Sequence, residues 1–209
     1  MAAFPARDLN ELQQIIRLMD DINPLISMMI EMEVRTGLRY CDISKLKFSD
    51  VMINGVIKSS FTIVQSKGYN GRITRGKTQK AAKEASRITI HVNAELEELI
   101  RRIYLHNGHN EVMFQSNHHL AKKGNAISIQ YINRVYKRIA MELRLPYQLS
   151  THSMRKMYAM LLLDSGASLK VIKDALGHSS IAVTDHYLRT FHDEAKEYTT
   201  GISLTPKVL

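Results

Sequence analysis

Apolar residues recur at helical spacing in Leu12, Ile15, Ile16 and Met19, and again in Leu25, Met28, Met29 and Met32. One face of a 3.6-residue helix collects such positions, so residues 8–36 predict two helices broken between Asp20 and Pro24. Pro24 suits a first helical turn, where its missing N–H is no loss, and Gly37 punctuates the end. A further helix is predicted around Asp42, Ile43 and Leu46. The period then shortens to two. Val51–Ile53, the pair Asn54-Gly55, and the run from Val56 through Phe61, Ile63 and Gln65 read as a hairpin, because Asn-Gly tolerates the positive φ of a tight turn. Ile88, Ile90 and Val92 alternate with Thr89 and His91, which predicts a third strand with His91 on its polar side.

Helical spacing returns in Leu96, Leu99, Ile100 and Ile103 behind Asn93 as cap, and in Ile132, Val135, Ile139 and Leu143 behind Ser128. It returns again behind Thr151, read as the cap of a helix burying Met157, Leu161 and Leu162, and in Leu169, Ile172 and Leu176 between Ser168 and Gly177. Ser180 caps the last such segment. The expected fold is α+β, mainly α-helical with a small antiparallel three-stranded sheet. It is expected as a single domain over 1–209, with 190–209 as a C-terminal tail.

Length and composition narrow the picture. A chain of 209 residues can bury one sizeable core or two small ones, and 44% apolar content belongs to a globular sequence. A net charge of +9 points to an anionic partner, nucleic acid first and an acidic membrane surface second. The longest apolar run, Met157 to Leu163, falls far short of the roughly 20 residues of a membrane-spanning helix. The N-terminus meets proline and charge too early for a secretory signal, so a cytosolic protein is expected. The single Cys41 excludes an intrachain disulfide, fits a reducing compartment and reads as a buried structural thiol. His106, His109, His118 and His119 lie in polar sequence with no cysteine or carboxylate at ligand spacing, so no metal site is expected.

Positive charge is concentrated between the second and third predicted strands, where Lys67, Arg72, Arg75, Lys77, Lys80, Lys83 and Arg87 face only Glu84. Such a run reads as a solvated, mobile loop or as a basic finger laid along a DNA backbone.

The chemistry-bearing residues lie at the two ends of the chain. His152 and Arg155 are three apart and share a helix face. His178 follows a short amphipathic helix, Tyr187 comes nine positions later, and Arg39 stands far upstream. Breaking a phosphodiester needs a nucleophile, charge stabilisation on the non-bridging oxygens and a proton for the leaving alkoxide. A guanidinium is planar, permanently charged and matches two phosphate oxygens at once. A phenol is a competent nucleophile once its proton is drawn off, and a histidine can share that proton near neutral pH. Taken singly, each residue has a plainer explanation: a half-buried core tyrosine, a chance His-x-x-Arg pair, a Gly177 that only caps a helix.

Together, Thr36-Gly37-Leu38-Arg39 with Asp42, Leu46 and Ser49-Asp50, His152-Ser153-Met154-Arg155 leading to Gly166, Leu176-Gly177-His178, and Thr184-Asp185-His186-Tyr187 resemble the boxes of the tyrosine recombinase (phage integrase) family, in order and in spacing. The resemblance runs from about residue 25 to residue 190. It implies the catalytic-domain fold of that family and a site-specific recombinase that cuts and rejoins DNA through a 3′-phosphotyrosine on Tyr187. Arg39 and Arg155 would hold the phosphate, His152 would assist proton transfer, and His178 would hydrogen-bond the phosphate.

A lysine near the predicted hairpin would protonate the 5′ oxygen: Lys67 by strand position, then Lys77, then Lys80. Arg72, Arg75, Lys77, Lys80, Lys83 and Arg87 would grip the backbone. No cofactor, ATP or metal is implied. The implied partner is double-stranded DNA, with a homotetramer on DNA, a monomer in free solution and no membrane. Phe191 and Tyr198 in the tail would anchor contact between protomers.

Three departures stand out. Asp42 replaces the more usual glutamate, the predicted hairpin is longer than usual, and only about 24 residues precede the resemblance, so the family's N-terminal DNA-gripping domain is expected to be absent. A type IB-like topoisomerase and a catalytically silent DNA-binding regulator share the scaffold. The intact set Arg39, His152, Arg155, His178 and Tyr187 speaks against silence.

Overall fold

The computed structural model describes residues 3–189. The predicted tail, with Phe191 and Tyr198, lies outside them. The helix α2 (Pro24–Thr36) is apolar almost all round and is buried along nearly its whole length, so it forms the axis of the main core. The helix α1 (Leu9–Ile22) lays Leu12, Ile15 and Met19 against it. Asn23 separates the two. Its N–H donates to the Met19 carbonyl at 2.8 Å, and its side-chain carbonyl accepts from the Leu25 N–H at 2.9 Å. Helices α7 (Ala94–Asn107) and α9 (Thr151–Asp164) close on α2, and α8 (Ile129–Glu142) packs on α1. Among the described residues no helix is long and apolar enough to cross a membrane.

The predicted three-stranded sheet is instead two separate pairs. Strands β1 (Met52–Ile53) and β2 (Val56–Ile57) form the Asn54-Gly55 hairpin, with both turn residues at positive φ. Strand β3 (Ser60–Val64) pairs antiparallel with β4 (Arg87–His91), burying Phe61, Ile88 and Ile90 while the Thr62 and Thr89 hydroxyls meet outside at 3.1 Å. The expected second strand breaks at Lys58-Ser59 because the chain changes partner there. Lys58 N–H still donates to the Val51 carbonyl, but the Ser59 carbonyl accepts from Val92. The Lys58 ammonium also donates to the Ser49 and Asp50 carbonyls, both at 2.8 Å, which holds this corner down.

Other expectations are corrected. The basic segment is not a loop: it folds into α5 (Ser66–Thr74) and α6 (Gln79–Glu84), the second capped by Thr78. The helix expected through Leu46 is the short α3 (Tyr40–Ile43), with a second short helix α4 (Phe48–Val51) after it; Leu46 is buried between them. Cys41 is half-buried rather than buried.

The last elements form a smaller, satellite core. Helices α10 (Leu169–Leu176) and α11 (Ile181–Arg189) pack Ile172, Leu176 and Leu188 against Ala159 of α9. Ser168 caps α10, and Gly177 ends it at φ 63°, the left-handed conformation expected of a helix-ending glycine.

Candidate active site

The two arginines are aimed by the backbone around them. Helix α2 ends at Gly37, φ 63°, after the Thr36 hydroxyl donates back to the Met32 carbonyl at 2.5 Å. A side chain at Gly37 would run into the ring of Tyr158, so the close approach of α9 requires glycine there. Two residues on, Arg39 opens α3 and its Nη1 donates to Gln65 Oε1 at 3.2 Å. Arg155, buried on α9, donates from Nη1 to the Gly37 carbonyl and from Nη2 to the Leu176 carbonyl at 2.5 Å. Gln65 Nε2 donates to that same Leu176 carbonyl at 3.2 Å.

Ser150, not Thr151, is the N-cap of α9. Its hydroxyl accepts from the His152 N–H at 3.2 Å, which sets His152 in the first turn. Lys67 also sits in a first helical turn, that of α5, rather than in a hairpin turn. The preceding Ser66 N–H donates to Asp42 Oδ1 at 2.8 Å, so the acidic residue after Arg39 pins the start of the lysine helix. His178 follows Gly177. Its Nδ1 shares a 2.9 Å hydrogen bond with the hydroxyl of Thr184, and its ring meets the Tyr187 ring edge-on at 5.4 Å.

Arg39, Lys67, His152, Arg155, His178 and Tyr187 all line one cavity of about 670 Å³. Of the other predicted DNA-binding residues, Arg72, Arg75 and Lys77 line it as well; Lys80, Lys83 and Arg87 do not. Arg72 Nη1 donates to the Ser86 hydroxyl at 2.9 Å, and Arg87 pairs with Glu84 at 3.2 Å. Among the described residues no carboxylate lines this cavity. Among the described residues no group of three His, Cys, Asp or Glu side chains is arranged to hold a metal; His118 and His119 stack, ring on ring, at 4.5 Å.

This concentration of positive charge acts on the titrating groups. Burial, then Arg155, Arg39 and Lys67, pushes His178 down to about 4. Burial, followed by Lys67 and Arg155, lowers His152 below the ordinary histidine value. Burial and then Arg39 bring Arg155 down to about 10, still charged at neutral pH. Burial raises the Tyr187 phenol to about 12 against the opposing pull of Arg155 and Arg39. The site is thus an anion trap with two neutral imidazoles and a protonated phenol in its wall.

Three neighbours of the site are not marked as such by the sequence. Thr184 stands out only as part of the tyrosine box, and Gln65 only as a strand residue. Lys156, next to Arg155, carries its ammonium 5.5 Å from the Tyr187 ring centre and 5.6 Å from that of Phe4. The Thr-x-x-Tyr spacing held a signal for the first; nothing local marks the other two.

Residues 8–194 match the model of the phage integrase family. Tyrosine recombinase XerD of Listeria innocua is 25% identical over 183 residues, which are 86% of this chain and 56% of that protein. The chain thus spans about half the length of the curated relatives it matches. Among solved structures, XerA recombinase superposes with a TM-score of 0.68 at 16% identity, covering 98% of this chain and 68% of that one. XerH site-specific recombinase bound to its difH substrate superposes with a TM-score of 0.62 at 20% identity, covering 95% and 53%.

Proposed function

The chain belongs to the phage integrase family, and from that premise we propose that its described residues form the catalytic unit of a tyrosine recombinase acting on double-stranded DNA. The observation that carries this reading is the single cavity in which Arg39, Lys67, His152, Arg155, His178 and Tyr187 meet, with cations all round and no carboxylate among the described lining residues. XerH, whose fold this chain shares, is a site-specific recombinase bound to difH substrate, and the Tn1549 transposon integrase, which also shares the fold, is in complex with a circular intermediate DNA.

In the proposed reaction a backbone phosphate enters the cavity and takes up the guanidinium N–H groups of Arg39 and Arg155. The phenol oxygen of Tyr187 attacks phosphorus while its proton passes to His152, neutral because its pKa is lowered. The bond from phosphorus to the 5′ oxygen breaks, and that oxygen takes a proton from Lys67. His178, with Nδ1 engaged by Thr184, turns Nε2 toward a non-bridging oxygen.

The products are a 3′-phosphotyrosine and a free 5′-hydroxyl. One phosphodiester has been exchanged for another, so the bond's energy is kept and no ATP is required. Attack by the 5′-hydroxyl of another duplex runs the same steps in reverse. Exchange of both strands between two duplexes calls for four such sites, which favours a tetramer on DNA.

The test is a pool of nicked duplexes of randomised sequence, in which cleavage releases a short strand that diffuses away. The native chain should give a covalent adduct on a denaturing gel, and Tyr187→Phe none. An adduct that survives Tyr187→Phe, or none with the native chain, would overturn the reading.

A further inference from the structure

We infer that Gln65 is a positioning residue for the phosphate-binding pair, holding the Arg39 guanidinium in register with that of Arg155. The inference rests on the site proposed above. Gln65 follows β3 directly and is only 2% exposed. Its two amide atoms are both used: Oε1 accepts from Arg39 Nη1 at 3.2 Å, and Nε2 donates to the Leu176 carbonyl at 3.2 Å. That carbonyl also accepts from Arg155 Nη2 at 2.5 Å. Two arginines from distant parts of the chain are therefore tied to one oxygen, Arg155 directly and Arg39 through a single amide.

The chemistry permits little else at this position. A guanidinium only donates and a carbonyl only accepts, so the linking group must offer one acceptor and one donor. Turning the amide over would set N–H against N–H and oxygen against oxygen, which fixes its orientation. A carboxylate would lack the donor for Leu176 and would place negative charge where the phosphate must bind.

The shared carbonyl belongs to the last residue of α10, where helix geometry leaves it without a partner inside the helix. The next residue, Gly177, lets the amide in, since any side chain there would collide with Gln65. His178 comes immediately after, and Lys67 lies two residues beyond Gln65. One buried amide thus joins Arg39, the start of the lysine helix and the histidine turn.

The variant that tests this is Gln65→Met, close in length and shape but unable to make either hydrogen bond. Single-turnover adduct formation would be compared on nicked duplexes with an ordinary scissile phosphate and with an uncharged methylphosphonate. On the phosphate, Gln65→Met should be slower by about tenfold. On the methylphosphonate, which has no full negative charge for an arginine pair to stabilise, the two chains should react alike. Equal slowing on both substrates would mean a general structural defect, and no slowing on either would mean no role; each overturns the inference.

A second measurement needs no turnover. In spectra of 15N-arginine-labelled protein, assigned with Arg39→Lys, the Arg39 side-chain signal should be restrained in the native chain and averaged in Gln65→Met. An unchanged signal would overturn the inference even if the native chain formed no adduct, an outcome that would sink the proposed activity by itself.

Discussion

A base is useful only while it is empty, and the surroundings of His152, the base of the proposed reaction, keep it so. Burial, Lys67, Arg155, Arg39 and Lys156 all disfavour its protonated form. His178 is pushed further, to about 4, while Thr184 holds its Nδ1. Tyr187, raised to about 12, does not ionise by itself at neutral pH, so in the proposed reaction it would give up its proton during attack. The sign of these shifts fixes the pH profile. A lowered histidine pKa leaves the neutral form in place to lower pH than usual, so adduct formation should stay flat down to about pH 6.5 and fall only below it. With the phenol proton passing to a neutral His152 rather than to hydroxide, no upward limb is expected between about pH 7 and 10. Single-turnover rates across that range check both limbs, and His152→Gln should flatten the acid fall along with lowering the rate. A fall beginning above about pH 7 would mean that some other group receives the proton.

The elements that carry these residues depend on their ends. Ser150 caps α9 and aligns the turn holding His152, whereas Thr151 lies just inside the helix. Ser150→Ala should therefore cost about 1 kcal/mol in denaturant unfolding, and Thr151→Ala less than about 0.5 kcal/mol. A larger cost at Thr151 than at Ser150 would return the cap to Thr151. The same contrast marks what could be read from the chain. Helices α1, α7, α8 and α10 each bury a regular stripe, so their periodicity announced them. Helix α5 buries no side chain and α6 only Ala82, so no apolar period existed there to detect, and the glycines and cations read as loop. The break between β2 and β3 follows from pairing with Val92, a partner outside any local window. The boxes around Arg39, Arg155, His178 and Tyr187 were legible because each is compact in sequence. Gln65 was not, because its partners Arg39 and Leu176 lie 26 and 111 residues away.

Across the whole molecule the cations are placed unevenly about the cavity, which lies between two cores. The main core around α2 supplies Arg39 and the helix bearing Arg155, while the satellite core seats Tyr187. The cavity between these walls gathers Arg72, Arg75 and Lys77 beside the proposed catalytic groups; Lys80 and Lys83 are exposed on the same segment but do not line it. Net charge of +9 alone would let every cation help equally in holding DNA. Placement predicts otherwise. Each phosphate neutralised releases counterions and contributes about 0.9 to the slope of log affinity against log salt. Replacing Arg72, Arg75 and Lys77 by alanine should lower that slope by about 2 to 3, whereas replacing Lys80 and Lys83 should lower it by less than about 1. Fluorescence anisotropy with labelled duplex over a salt series measures both. Matched losses per charge would show that DNA feels only the overall field; a loss concentrated in the first trio would show that the phosphate backbone runs through the cavity where Tyr187 waits.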